Sequence, residues 1–363
     1  MPTRVISGKG CFKDSEAQLK LLGSRCLIIT GKNSAKACGA FDDAQTVLKK
    51  AGIEYIVYDK IEPNPLLSSC YEAGSQARKF RADFILGIGG GSPLDAAKAA
   101  AVFAGNSTFV PEDIFKGGFT KALPIVLVGT TAGTGSEVTA TAVLTIDERQ
   151  IKKSITHRCC FATISFADST YTRTSPYQLT VSAALDALCH AVEGYYSTRA
   201  GDIAHEAAIK AVRLLWPNLI NLRKNQLELP DNTAREQLYY GSLWAGVTLN
   251  LAGTGFPHPA GYPLSIEYGI PHGKACAVFL PEYVRHNASV DSSLTLRLFS
   301  ALGCGLDTFC ETVEALASIK DVKLSAEKCS EFAQSLAGRA NLTNALNPSS
   351  LAEILALYQK LFA

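Results

Sequence analysis

The chain has almost no net charge, no apolar run of membrane-spanning length and no paired-cysteine motif, and each absence removes a class of protein. Its 363 residues sum to a formal charge of +2, with the basic residues scattered. Gripping a phosphate backbone needs a concentrated basic footprint, so a nucleic-acid partner is disfavoured. No apolar segment is long enough to cross a bilayer, and the opening MPTRVISGKG lacks a signal-peptide core. The expectation is a cytoplasmic protein with no membrane partner. Eleven cysteines are present, but none stand as CxxC, and the nearest approach is the adjacent Cys159 and Cys160. A chain of this length needs no disulfide staples, and Cys26, Cys189 and Cys276 lie singly in apolar stretches, as buried reduced thiols do. Internal repeats and low-complexity tracts are absent too.

What is present is apolar material, 47% of residues against 19% charged, in a chain long enough for two cores. In the first half, short runs rich in Ile and Val, Arg25–Thr30, Glu54–Tyr58, Asp83–Ile88 and Pro124–Val128, alternate with helical stretches. Those stretches are Ser34–Ala51, Leu67–Arg81 and Pro93–Ala104. This spacing predicts βαβ units and a parallel sheet covered on both faces. Thr139–Ile146, Ile151–Ile155 and Thr163–Phe166 read as further strands or a hairpin, not as more crossover units. From Ser175 long helical patterns take over, among them Ala183–Tyr196, Ala204–Asn221, Ala234–Leu251 and Cys276–His286. The expected fold is therefore α/β plus all-α: a Rossmann-like parallel-sheet domain over residues 1–174, then an all-helical metal-binding domain over 175–363.

The second half holds four potential metal ligands: Asp186 and His190 in LDALCHAVEG, His258 in GFPHPAG and His272 in IPHG. Asp186 and His190 are four residues apart in a helical stretch, so both project from one face. One carboxylate and three imidazoles suit Fe(II), with Zn(II) the other candidate, and oppose a structural thiolate site. Pro257 and Pro259 bracket His258, which places it at a helix start. A lone histidine is more often structural than a ligand, and His157, His205 and His286 have no supporting motif.

Two glycine-rich segments end neighbouring strands. GIGGGSPLDAAKAA follows an apolar run and opens a helix, with Pro93 suited to the first turn. Gly89, Gly90 and Gly91 let backbone amides approach a diphosphate, and Ser92 can cap the helix or bond a phosphate oxygen. The spacing is not GxGxxG, because position 92 is serine. In GTTAGTGSE, Thr130, Thr131, Thr134 and Ser136 offer hydroxyls at the same sheet edge, where such folds bind ligands. The first strand runs into Gly31, Lys32, Asn33 and Ser34. No carboxylate stands there to repel a ribose 2′-phosphate, and Lys32, Ser34 and Lys36 could receive one, which favours NADP over NAD.

GIGGGSPLDAAK, VGTTAGTGSEVT, ALDALCHAVEGYYS and IPHGKACAVFLPEYVRHN resemble, in this order, the iron-containing (group III) alcohol dehydrogenases, relatives of glycerol dehydrogenase and dehydroquinate synthase. The resemblance runs from about Val5 to about Asn287. It implies a nicotinamide cofactor on the first domain, an active site in the cleft between the halves, and a homodimer or larger homo-oligomer. It carries the metal ligands onto Asp186, His190, His258 and His272, and the diphosphate loop onto Gly89, Gly90, Gly91 and Ser92. Thr130, Thr131 and Ser136 match positions that line the cofactor, and Asp95 and Lys153 match positions near it. Relatives commonly carry a second histidine one turn after the third ligand. Here that residue is Tyr262, so a relay through histidine is replaced by a hydroxyl that could hold a water or shape the pocket.

The implied chemistry is hydride transfer between NAD(P)(H) and a small primary alcohol or its aldehyde, with the metal polarising the oxygen. Few charges flank the ligand motifs, chiefly Glu193, Glu267 and Lys274, while Phe256, Tyr262, Leu264 and Ile266 imply an apolar or lightly polar pocket. No Arg and Lys cluster is present for a multiply anionic substrate. The alternatives are a polyol dehydrogenase of the glycerol type and a non-catalytic metal- and nucleotide-binding sensor or scaffold.

Overall fold

A computed structural model describes residues 2–147 and 151–363 of the chain. Two compact units divide it, Met1–Ser175 and Pro176–Ala363.

In the first unit the described strands are β1 (Arg4–Ser7), β2 (Arg25–Thr30), β3 (Glu54–Tyr58), β4 (Phe84–Gly89), β5 (Ile125–Gly129), β6 (Thr141–Ile146), β7 (Ile151–Thr156) and β8 (Ile164–Ala167). Six of them form one sheet in the order β1-β8-β5-β4-β2-β3, every neighbouring pair parallel, and β6 and β7 form an antiparallel pair apart from it. The apolar runs split by residue parity. Leu27, Ile29, Ile85 and Leu127 enter one core with the helices Leu67–Phe80 and Gly91–Gly105, while Cys26, Ile28, Phe84 and Leu86 enter the other with Ala40–Ala51. Two buried faces explain why these strands lack a polar alternation.

The first unit refines the expected elements in three places. The stretch Ser34–Ala51 is two helices, Ser34–Ala37 and Ala40–Ala51, parted at Gly39, whose φ of 84° ends one and starts the other. Thr163–Phe166, expected as a further strand or part of a hairpin, is a strand. Shifted by one residue it is β8, buried along its whole length and paired with β5 and β1, so it is a sheet strand reached through the hairpin. β1 itself was not anticipated, because this edge strand is mostly exposed and carries little apolar signal.

The second unit is helical throughout its described elements. Tyr177–Tyr195, Asp202–Lys224 and Asn232–Ala252 are long helices that bury Leu185, Leu188, Val192, Leu215, Leu219 and Tyr239. The stretch Cys276–His286 is broken. One helix, His272–Ala277, stops before Pro281, which lacks the N–H needed to bond back to Ala277, and Leu280–Ala288 restarts the chain.

The short helix His272–Ala277 meets Tyr177–Tyr195 at a glycine. A Cβ on Gly273 would stand 1.8 Å from the Ser182 carbonyl oxygen and 2.8 Å from the Asp186 nitrogen. Only a bare backbone permits this approach, which sets His272 beside Asp186. We expect Gly273→Ala to destabilise the protein by about 3 kcal/mol, a severe overpacking clash, in a denaturant titration. An unchanged midpoint would mean that the two helices can separate freely.

Candidate metal centre and nucleotide loops

Asp186 and His190 occupy consecutive turns of the Tyr177–Tyr195 helix, both buried on its inner face. His258 is the second residue of the Pro257–Glu267 helix, after Pro257, and His272 opens the His272–Ala277 helix. The Nε2 atoms of His190, His258 and His272 stand 3.9, 3.5 and 3.7 Å from Asp186 Oδ1. The His190 and His258 rings stack with centroids 4.5 Å apart. Asp186 Oδ1 and His258 Nε2 are buried, and neither makes a hydrogen bond. Burying such atoms without partners is costly unless something else meets them. Metal–nitrogen bonds of about 2.1 Å at tetrahedral angles set donors about 3.4 Å apart, close to the observed spacings. The donors thus fit a divalent ion.

The electrostatics agree. Burial alone would raise the Asp186 carboxyl, but the surrounding histidines outweigh it and hold the group well below the usual carboxylate range. Burial alone would lower His258, but the Glu193 and Asp186 carboxylates reverse this and push it up to about 10. A proton on His258 answers the same negative field that a cation would.

Three residues at this centre had no assigned role in the sequence. Glu193, fully buried, holds His258 Nδ1 at 2.7 Å through Oε1. That contact fixes the ring so that Nε2 faces Asp186, the usual task of a carboxylate behind a metal-binding histidine. Its position seven residues after Asp186 on the same helix is the signal that could have found it, since i and i+7 share a face. Cys276 is buried one turn after His272, with its sulfur 3.6 Å from Nδ1 and 3.8 Å from Nε2 of that ring. Arg339, far along the chain, places its guanidinium 5.8 Å from the Tyr262 ring centre, and that ring lies 5.8 Å from His272. No local pattern announces such a contact. His272 is the least buried member of the set, with 32% of its side chain open.

The remaining histidines have other work. His157 Nδ1 accepts the Cys159 N–H at 3.2 Å, His205 packs on Tyr195, and His286 lies on the exposed surface near the Pro348 carbonyl.

In the first unit, Gly89 and Gly129 are paired across β4 and β5, so both glycine loops leave the sheet at one level. They touch. A Cβ on Gly90 would meet Thr131 at 3.1 Å, and one on Gly91 would meet Thr134 at 2.5 Å. Gly91 begins the Gly91–Gly105 helix after Gly90, which aims its free amides at the same place. Thr130 Oγ1 is buried and makes no hydrogen bond, a polar atom that a bound nucleotide could satisfy. Ser92 Oγ accepts the Asn64 N–H at 3.1 Å. Asp95 accepts the Ser136 hydroxyl at 2.7 Å and the Val143 N–H at 2.8 Å. Lys98, fully buried, donates to Ser136, Thr139 and the Thr141 carbonyl at 2.7, 3.1 and 2.8 Å. Burial lowers its pKa, opposed chiefly by Asp95. The side chains of Asp95 and Ser136 therefore join the second loop and the β6–β7 hairpin to the helix of the first loop. Lys153 lies over the Phe115 ring at 4.7 Å, while Lys152 beside it is buried. Gly31 follows β2, Ser34 starts the Ser34–Ala37 helix, and Lys32 and Lys36 lie 3.8 and 3.0 Å from Glu62 and Asp59 on the exposed surface.

Residues 2–169 match the model described as iron-containing alcohol dehydrogenase, and residues 180–362 match that of the Fe-containing alcohol dehydrogenase family, C-terminal. The 1,3-propanediol dehydrogenase of Citrobacter freundii is 36% identical over 284 residues, covering 74% of this chain and 71% of its own. The NADPH-dependent butanol dehydrogenase of Clostridium saccharobutylicum is 29% identical, covering 88% and 81%. The crystal structure of an iron-containing alcohol dehydrogenase from Thermotoga maritima superposes with a TM-score of 0.91 at 32% identity, covering 100% and 98%. The chain belongs to the iron-containing alcohol dehydrogenase family, oxidoreductases that act on alcohols with a metal site and a nicotinamide cofactor. No helix among the described residues is long and apolar enough to cross a membrane.

Because Glu193 orients His258, Glu193→Gln should weaken divalent-metal binding about 10- to 100-fold in a competition titration against a chromophoric chelator. Wild-type affinity in that variant would leave Glu193 a purely structural carboxylate.

Proposed function

We propose that the chain reduces a small aldehyde to its primary alcohol with NADPH, at a metal held by Asp186, His190, His258 and His272. The observation that carries this is the buried Asp186 oxygen faced by three imidazole nitrogens at 3.5 to 3.9 Å. Bound there, a ferrous or zinc ion supplies Lewis acidity at the substrate oxygen, and the nicotinamide supplies or accepts the hydride.

The protein's own residues arrange the rest. Asp186 supplies negative charge to the centre, and Glu193 keeps His258 in one tautomer. Tyr262 stands where relatives carry a second histidine. Burial, the largest influence, pushes its hydroxyl far above its ordinary value, so it acts as a neutral hydrogen-bonding group and not as a base. The amides of Gly89, Gly90 and Gly91 at the start of the Gly91–Gly105 helix receive the diphosphate, and Ser92, Thr130, Thr131 and Thr134 border it. Asp95 and Ser136 position these loops from behind. Lys153 completes the set of nucleotide contacts that the family resemblance carries over.

For the nucleotide we favour NADP, as in the butanol dehydrogenase relative. Gly31 presents no carboxylate, and a Cβ there would stand 3.1 Å from the Ile61 carbonyl. Lys32, Ser34 and Lys36 then meet the 2′-phosphate. Their exposed pairs with Glu62 and Asp59 hold them weakly enough for a dianion to displace. Arg339 beside Tyr262 favours a second hydroxyl on the substrate, as in 1,3-propanediol, which is the strongest form of the polyol alternative. A homodimer or larger assembly belongs to the same proposal, and light scattering reads it. So does a cytoplasmic location, which suits eleven cysteines that form no disulfide.

With Fe(II) or Zn(II) restored anaerobically, propanal, butanal and 3-hydroxypropanal should be reduced, with NADPH preferred to NADH. The double variant Lys32→Ala/Lys36→Ala should lose about tenfold in kcat/KM for NADPH and little for NADH, as expected on losing charge-assisted phosphate contacts. Equal losses with both nucleotides would exclude this phosphate site. No turnover of any alcohol or aldehyde, despite bound metal and nucleotide, would favour a sensor.

A further inference from the structure

Lys98 is a fully buried cation that neither the metal centre nor the phosphate contacts employ. It stands in the Gly91–Gly105 helix, about two turns after the first glycine loop opens it. Its ammonium has three N–H donors, and three oxygens meet them. They are Ser136 Oγ at 2.7 Å, Thr139 Oγ1 at 3.1 Å and the Thr141 carbonyl at 2.8 Å. Asp95, one turn earlier on the same helix face, balances the charge at 3.8 Å. Asp95 is engaged as well, its Oδ1 accepting the Ser136 hydroxyl at 2.7 Å and its Oδ2 the Val143 N–H at 2.8 Å. An ammonium only donates and a carboxylate only accepts, so the Ser136 proton points to Asp95 and a lone pair to Lys98. That hydroxyl has no hydrogen left for a phosphate oxygen.

Position decides between an ordinary core ion pair and a device that serves the loops. These partners lie within residues 136–143, the segment that directly follows the second glycine loop. Taking a lysine out of water is costly, and a methionine would fill the same space without that cost, so stability is a poor reason for the charge. The second loop is tied at its near end, where the Thr130 N–H donates to the Gly89 carbonyl at 2.9 Å. Beyond it come Gly133 and Gly135, the latter with a φ of 58°, which leave the backbone loose. Lys98 and Asp95 hold the far end. The Ser136 N–H also returns to Thr134 Oγ1 at 3.3 Å, and the Thr134 side chain is the one that fills the space beside Gly91. Both ends of the second loop are thus referred to the strand and helix that carry the first.

We infer that Lys98 is a positioning residue for the nucleotide, pinning the end of the second loop to the helix that the first loop opens. The diphosphate then meets a cradle already formed, and the ordering cost is removed from binding. No covalent bond is made or broken. The diphosphate is common to NADH and NADPH, so both gain equally, unlike the gain from Lys32 and Lys36. The inference rests on the nucleotide reading of the two loops and adds the residue that shapes them.

The test is a pair of binding titrations on the full chain, in which nucleotide fluorescence gives the dissociation constants of NADPH and NADH. Far-ultraviolet circular dichroism sets a temperature at which each variant is folded. Lys98→Met should weaken both nucleotides equally, about tenfold, while zinc affinity against a chromophoric chelator stays that of the wild type. A core ion pair serving stability alone would lower the denaturation midpoint and leave both constants untouched. Thr139→Val, which removes one acceptor and keeps the shape, should weaken both about threefold, and it decides the matter if Lys98→Met does not fold. Wild-type constants in the folded variants, or a loss confined to one nucleotide, overturn the positioning role. Gly90→Val, which crowds Thr131, tests the loops themselves. Wild-type affinity there, or a wild type that binds neither nucleotide, overturns the nucleotide reading and this inference with it.

Discussion

The helical unit is organised around one buried anion. Asp186 is 4% exposed, its Oδ1 makes no hydrogen bond, and three imidazole nitrogens approach it. An isolated carboxylate in such a place would be untenable, because water is removed and no donor replaces it. The chain supplies imidazole partners from three helices, and each is delivered by a rigid device. The i and i+4 spacing delivers His190, a proline-led helix start delivers His258, and the bare backbone of Gly273 delivers His272. Glu193 then limits the freedom of the His258 ring. The centre is stiff before anything binds, which is what tight positioning of a reacting group demands.

The parallel-sheet unit answers a different problem, the approach of a polyanion to backbone. Its strands spend their side chains on two cores, which leaves the carboxyl edge to loops. There the side chains of Thr131 and Thr134 fill the space beside Gly90 and Gly91, so neither loop is shaped without the other. The Gly91–Gly105 helix is packed with Ala96, Ala97, Ala99, Ala100 and Ala101, all fully buried. Small side chains let it lie close to the sheet, and its amino end is held where the loops meet.

Much of this was legible in the sequence because the signals were local. Runs of Ile and Val between helical stretches gave β2 to β5, and glycines at strand ends marked the loops. The i and i+4 spacing of Asp186 and His190 gave half of the donor cluster. What escaped depends on contacts between distant residues. β8 reads as a strand in the sequence, but only its pairing with β5 and β1 places it in the sheet and not in a hairpin. β1 is an exposed edge with almost no apolar pattern. Glu193 looked like one of a few scattered charges until His258 was placed beside it from 65 residues away. Arg339 reaches Tyr262 through the tertiary fold alone. Lys98 resembled any lysine in a helix, since nothing around it in sequence reveals that three oxygens surround its nitrogen.

That lysine restricts how this sequence can drift. Lys98 is wholly buried, and its charge is met by Asp95 at 3.8 Å and by the oxygens of Ser136, Thr139 and Thr141. Exchange of either charged member alone strands the other in a site with little water, whereas replacement of both together leaves nothing uncompensated. Losing one of them alone therefore costs stability that losing both together would spare. A sequence that gives up the pair must cross a stability valley or change both at once.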